Sequence, residues 1–138
     1  MKVAIVAAKF NSQITEMLLS AAQEELKNSN IQDVDIFKVP GACEIPTMLN
    51  HLAQKKIYDG FISIGAVIQG ETPHFDYVCK MAQEGILQVS LKYNIPIIFG
   101  ILTTDNIQQA LERADIKKQN KGASFAKALV EMIDNLTP

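Results

Sequence analysis

The sequence predicts an α/β protein, a three-layer sandwich in which a four-stranded parallel sheet carries helices on both faces. Three observations point there. Four apolar, β-branched runs alternate with longer stretches of helical periodicity, and strands joined through helices at this spacing imply right-handed crossovers and a parallel sheet. The third and fourth runs are almost continuously apolar, as strands covered on both sides should be. The 138 residues contain no internal repeat, low-complexity segment or linker, so residues 1–138 are expected to form one domain with a full core.

In chain order, Val3 to Ala8 reads as the first strand. Asn11 or Ser12 then caps a helix whose apolar positions Ile14, Leu18, Ala21, Ala22 and Leu26 recur at helical spacing, and Asn28-Ser29-Asn30 ends it. Val34 to Val39 alternates in part and gives a second strand, closed by Pro40-Gly41. Glu44 to Lys56 carries Ile45, Met48, Leu49, Leu52 and Ala53 on one face and is predicted helical. Tyr58 to Ile68 contains the third strand. The next helix, from about Phe75 to Tyr93, should turn Val78, Ala82, Ile86, Val89 and Leu91 toward a core. Ile95 to Leu102 is the fourth strand, and Thr103-Thr104-Asp105 is expected to cap a helix through Ala114. A polar, Lys-rich connection over Asp115 to Gly122 precedes a last helix, Ala123 to Leu136.

Composition removes several classes of function. Apolar residues make up 48% and charged residues 20% of the chain, and 13 basic against 15 acidic side chains leave a net charge of −2. That balance gives no footprint for nucleic acid or an anionic membrane. No apolar run spans a bilayer. Met1 to Lys9 has some flavour of a signal peptide, but its apolar part is short and a lysine interrupts it. Cys43 and Cys79 have neither metal-ligand spacing nor a disulfide pattern, and are expected as small buried thiols in a reducing compartment, which makes cytoplasmic location the default. Phosphate-loop, dinucleotide and nucleophile-elbow patterns are missing, and two distant histidines offer no metal site.

In open α/β sheets, ligands bind at the carboxyl ends of the strands. Four such ends carry chemistry-bearing residues: Lys9-Phe10-Asn11, Pro40 to Glu44, Gly65 to His74, and Gly100 to Thr104. These are expected to converge. The third is the richest. A strand emptying into a helix leaves unpaired N–H groups beside a positive dipole end, which suits an anion. Gly70 allows close approach, Thr72 adds a hydroxyl, Pro73 suits a helix start, and His74 brings an imidazole able to move protons near neutrality. A phosphate cradle with an adjacent acid–base group is one reading; an ordinary helix cap is the other. Phe10 reads either as a stacking plate or as a lid on the core. Glu44 suits a helix dipole, and equally a pair of polyol hydroxyls. Arg113 is a dipole partner or a phosphate clamp. Lys117, Lys118 and Lys121 read as a solvated basic loop, and His51 as a surface residue.

Phe10-Asn11, Val39-Pro40-Gly41-Ala42-x-Glu44-Ile45-Pro46, Gly65-Ala66-Val67-Ile68-x-Gly70-Glu71-Thr72-Pro73-His74-Phe75-Asp76-Tyr77-Val78, Pro96-x-Ile98-Phe99-Gly100-x-Leu102-Thr103-Thr104-Asp105 and Asn120-Lys121-Gly122 together resemble the 6,7-dimethyl-8-ribityllumazine synthase family. The five blocks span nearly the whole chain, in order. The resemblance implies a flavodoxin-like sheet and the penultimate step of riboflavin biosynthesis. There a transferase condenses 5-amino-6-(D-ribitylamino)uracil with 3,4-dihydroxy-2-butanone 4-phosphate, using no cofactor and no metal. It implies that Phe10 stacks on the pyrimidine, that backbone around Ala42, Val67 and Ile68 binds ring edges, and that Glu44 holds ribityl hydroxyls. Gly70, Glu71 and Thr72 would form the phosphate turn and His74 would shuttle protons. Phe99, Arg113 and Lys121 would come from a neighbouring subunit, so the site would exist only in a homo-oligomer.

Three departures stand out. Cys43, a wall position of the pyrimidine pocket, replaces an aromatic residue. Gln69 removes a positive charge near the phosphate turn, and Asp115-Ile116 and Gln119 replace small residues before Asn120. The chain also begins almost at its first strand, whereas shell-forming members carry a longer N-terminus. A pentamer or a pair of pentamers, a decamer, is therefore expected. The alternative function is a non-catalytic, ring-forming protein of the same fold that binds riboflavin or lumazine. A flavodoxin-like signalling module is a third, weaker reading, lacking the acidic cluster of a phospho-acceptor site.

Overall fold

A computed structural model describes all residues, Met1–Pro138. Strands β1 (Lys2–Ala8), β2 (Asp33–Val39), β3 (Gly60–Ile68) and β4 (Ile97–Thr104) form one parallel sheet in the order β2-β1-β3-β4. Helices α1 (Ser12–Asn28), α4 (Ile107–Ala114) and α5 (Lys121–Leu136) cover one face; α2 (Ile45–Ala53) and α3 (His74–Tyr93) cover the other. The predicted three-layer α/β architecture is thus observed.

The pleat of β1 explains the two cores. Val3, Ile5 and Ala7 join the cluster under α1 and α5, while Ala4, Val6 and Ala8 join the cluster under α2 and α3, because successive side chains leave a strand on opposite faces. Residues 3–8 are all buried, and so are the first seven of β3. β4 departs from the expectation of burial on both sides: it is an edge strand, with Phe99 at 40% exposure. At Gly100, a Cβ would fall on the Ser63 carbonyl and the Phe125 ring, so only glycine lets α5 lie this close. No helix is long and apolar enough to cross a membrane.

Several boundaries differ from those predicted, each for a local reason. A single 3-10 turn, Ala42–Glu44, precedes α2, which starts at Ile45 and ends at Ala53. β4 starts at Ile97 because Ile95 closes α3, its N–H donating to the Ser90 carbonyl at 3.1 Å and its carbonyl accepting from Ser90 Oγ at 2.8 Å. β4 then runs on to Thr104, since Thr103 and Thr104 pair with Val67 and Ile68. The cap of α4 is consequently Asn106, whose side chain accepts from the Gln109 N–H at 2.9 Å. Leu91 does not enter the core; it is 73% exposed. It lies two residues beyond Val89, about 200° round the helix at 3.6 residues per turn. α5 begins at Lys121, two residues earlier than predicted.

The crossovers locate the crevice. From β1 the chain moves through α1 to β2 on one side; from β2 it returns past β1 to β3 and then β4, through helices on the opposite face. The direction reverses between β1 and β3, and the carboxyl ends of those two strands flank the switch point where open α/β sheets bind ligands.

Candidate active site

A cavity of about 600 Å³ opens at that switch point, within the size range of small-molecule sites. After β1 it is walled by Phe10 and Asn11, after β2 by Pro40 to Glu44, and after β3 by Val67, Ile68, Gly70, Thr72 and His74. Of the four strand ends expected to converge, three do. The end of β4 stays out, because β4 lies on the far side of β3 from β1.

Each wall has its own local cause. The Phe10 ring is 72% exposed, yet its backbone is held, with the Phe10 N–H donating to the Pro40 carbonyl at 3.2 Å. Glu44 sits in the 3-10 turn, its N–H donating to the Gly41 carbonyl at 3.2 Å, and its side chain caps no helix. The carboxylate is exposed beside the cavity, which disfavours the simple capping reading. At the third wall the Thr72 hydroxyl accepts from the His74 N–H at 3.4 Å, a side-chain turn at the entry to α3. His74 opens α3 and is exposed at the cavity rim.

The cysteines are half-buried rather than buried, and both are free thiols. Burial pushes the Cys43 thiol up, with the Glu44 charge adding to it. Burial also raises Cys79, with Asp76 and Cys43 contributing. Both therefore stay protonated, and poorly nucleophilic, at neutral pH. No group of three or more His, Cys, Asp or Glu side chains is gathered anywhere.

Nine of the thirteen residues singled out in the sequence line this cavity: Phe10, Ala42, Cys43, Glu44, Val67, Ile68, Gly70, Thr72 and His74. Glu71 is exposed next to it without lining it. Phe99, Arg113 and Lys121 lie elsewhere, on β4, at the end of α4 and at the start of α5. Arg113 donates only to the Gln109 carbonyl, at 3.0 Å, and has no carboxylate partner. Two apolar wall residues, Phe75 and Val78, were not foreseen as such; Val78 was expected in the core. Their signal is helical spacing, since positions 74, 75 and 78 share one face of α3's first turn.

The family description 6,7-dimethyl-8-ribityllumazine synthase matches residues 1–137. The chain belongs to that family. A protein of Limosilactobacillus reuteri (strain DSM 20016) called 6,7-dimethyl-8-ribityllumazine synthase is 49% identical over 132 residues, covering 96% of this chain and 87% of the relative. The resemblance read from the five sequence blocks is borne out, and with it the transferase assignment in riboflavin biosynthesis. Family members act on small molecules, which suits a cavity of this size and mixed apolar and polar lining.

Proposed function

We propose that this chain condenses 5-amino-6-(D-ribitylamino)uracil with 3,4-dihydroxy-2-butanone 4-phosphate to form 6,7-dimethyl-8-ribityllumazine, the penultimate step of riboflavin biosynthesis. The observation that carries the reading is the meeting, in one cavity, of an aromatic plate, an exposed carboxylate and a helix entry bearing a hydroxyl and an imidazole. Each part suits one portion of the substrates. Phe10 stacks on the pyrimidine, while the backbone of Ala42, Val67 and Ile68 binds its edges. Glu44 accepts from ribityl hydroxyls. Gly70, Glu71 and Thr72 bind phosphate at the entry to α3, and Cys43 supplies a small, uncharged wall. His74 carries protons as the amine attacks the ketone, phosphate departs and the second ring closes. Holding two reactants in register supplies most of the rate, with proton transfer adding a smaller factor.

Phe99, Arg113 and Lys121 complete this site from a neighbouring subunit. Their distance from the chain's own cavity, the edge position of β4 with its exposed Phe99, and a guanidinium without a carboxylate partner support that view. The working form is then a ring of copies, a pentamer or decamer, in the cytoplasm. Purified protein mixed with both substrates should develop lumazine fluorescence. Binding of lumazine without any turnover would instead favour the non-catalytic reading, and a monomer in the analytical ultracentrifuge would overturn the shared site.

A further inference from the structure

We propose that Asn11 is a positioning residue, which fixes the Phe10 ring against the end of β3 and so sets the ring-binding geometry of the cavity. The inference deepens the functional reading above and rests on it.

β1 ends too early to complete the sheet. Its last partner on β3 is Ile64, paired with Ala7, whereas β3 continues beside β4 as far as Ile68 paired with Thr104. From Gly65 onward the β1 side of β3 has no strand to bond. The Asn11 side chain fills that gap, its Nδ2 donating to the Ala66 carbonyl at 2.7 Å. It does so instead of capping α1. Asn11 occupies the N-cap position, where asparagine ordinarily bonds the helix's first N–H groups through its side chain, yet it makes no such bond. Its backbone carbonyl accepts from Ile14 and Thr15 N–H at 3.0 and 3.1 Å, which frees the amide to reach across.

The backbone conformation is part of the device. Asn11 has φ 60° and ψ 49°, the left-handed region that asparagine enters more readily than most residues. This turn joins β1 to α1 and throws the Phe10 ring outward. Phe10 is thereby anchored on both sides, through its own N–H to Pro40 after β2 and through Asn11 to Ala66 after β3. Ala66, Val67 and Ile68 line the same cavity. One side-chain amide therefore ties the stacking plate to the strand whose backbone meets the ring edge, ordering both before a ligand arrives.

Asn11→Gly tests this, because glycine enters the same backbone region without cost and lacks the amide. Asn11→Asp is the second variant, of the same size with no N–H to donate. In steady-state assays of lumazine formation, either variant should raise KM for the aminouracil substrate about tenfold while KM for the phosphorylated ketone stays within about twofold. In a Phe10→Ala background, Asn11→Gly should add nothing further, since it acts through that ring. A purely structural role would lower the melting temperature without separating the two KM values. Unchanged KM values, a joint rise in both, or additive losses in the double variant would overturn the proposal. A wild-type protein that makes no lumazine would sink the functional reading alone. The positioning claim is then read from the 19F line of fluorophenylalanine at position 10, which Asn11→Gly should broaden or shift; an unaltered line overturns it.

Discussion

The Glu44 carboxylate rests over Gly41: a Cβ at Gly41 would stand 3.3 Å from Glu44 Oε1. Gly41 has an extended backbone, φ −151° and ψ −178°, that any residue adopts. Glycine is therefore not required there by backbone strain; it leaves room for the carboxylate. Gly41→Ala should fold normally and push Oε1 away by a few tenths of an ångström. Because a 1 Å misplacement costs about 10²-fold, a shift of this size should raise KM for the ribityl-bearing substrate by roughly threefold to tenfold. Steady-state kinetics check it, and an unchanged KM would remove Glu44 from ribityl binding.

Gly70 has open space around it. A Cβ there would meet nothing within 4 Å, and its φ is not positive. Within one protomer the fold makes no demand for glycine at this position, and the proposed phosphate turn gives it a use. Gly70→Ala should keep or slightly raise thermal stability, by about 0.5 kcal/mol through the unfolded chain. It should weaken binding of the phosphorylated ketone about tenfold by crowding the N–H groups that face the anion. Calorimetry and substrate titration separate the two effects.

These two positions mark the limits of what the sequence disclosed. The strand over Val3 to Ala8 was legible, and so were the parallel sheet and the three strand ends that line the cavity, since period and punctuation are local properties; which residues of that all-apolar run face which core was not. The role of Asn11 was not. A cap and a cross-strand bond look the same in sequence, and only the register of β1 against β3 separates them. Leu91 is as apolar as its core neighbours, but its phase on the helix turns it to the surface. Phe99, Arg113 and Lys121 lie away from the cavity in one protomer, and the neighbour-borne role proposed for them is a property that no single-chain pattern or fold can display.

A shared site makes a prediction that no intrachain site makes. His74→Ala should lower kcat about 10²-fold while leaving assembly intact, as loss of a general acid–base group does. Arg113→Ala should impair turnover as well. Co-expressed in one cell, the two inactive chains should recover activity, because in a ring with head-to-tail interfaces about a quarter of the sites combine an intact His74 with a neighbour's intact Arg113. Mixed rings with no recovered activity would show that Arg113 does not work across the interface.

At the opposite end of the sheet, Tyr58 Oη donates to Asp35 Oδ2 at 2.6 Å, and Lys2 Nζ lies 3.5 Å from the same carboxylate. Burial, then the hydrogen bond to Asp35, pushes the Tyr58 phenol from 10.0 up to about 12. The Asp35 carboxyl is held below its ordinary value chiefly by the Tyr58 hydroxyl, with Lys2 assisting. The two signs are opposite. For Tyr58 the folded protein binds the proton more tightly, so its contribution is complete below pH 10.0 and is lost as pH rises toward 12. For Asp35 the contribution is present above the ordinary carboxyl value and is lost as acid protonates the folded form. Lysines titrate in the same alkaline range, so the comparison must be with Tyr58→Phe. Denaturant unfolding of both proteins across that window should show the wild type's advantage shrinking as pH rises, while parallel curves would deny the phenol any part in alkaline unfolding.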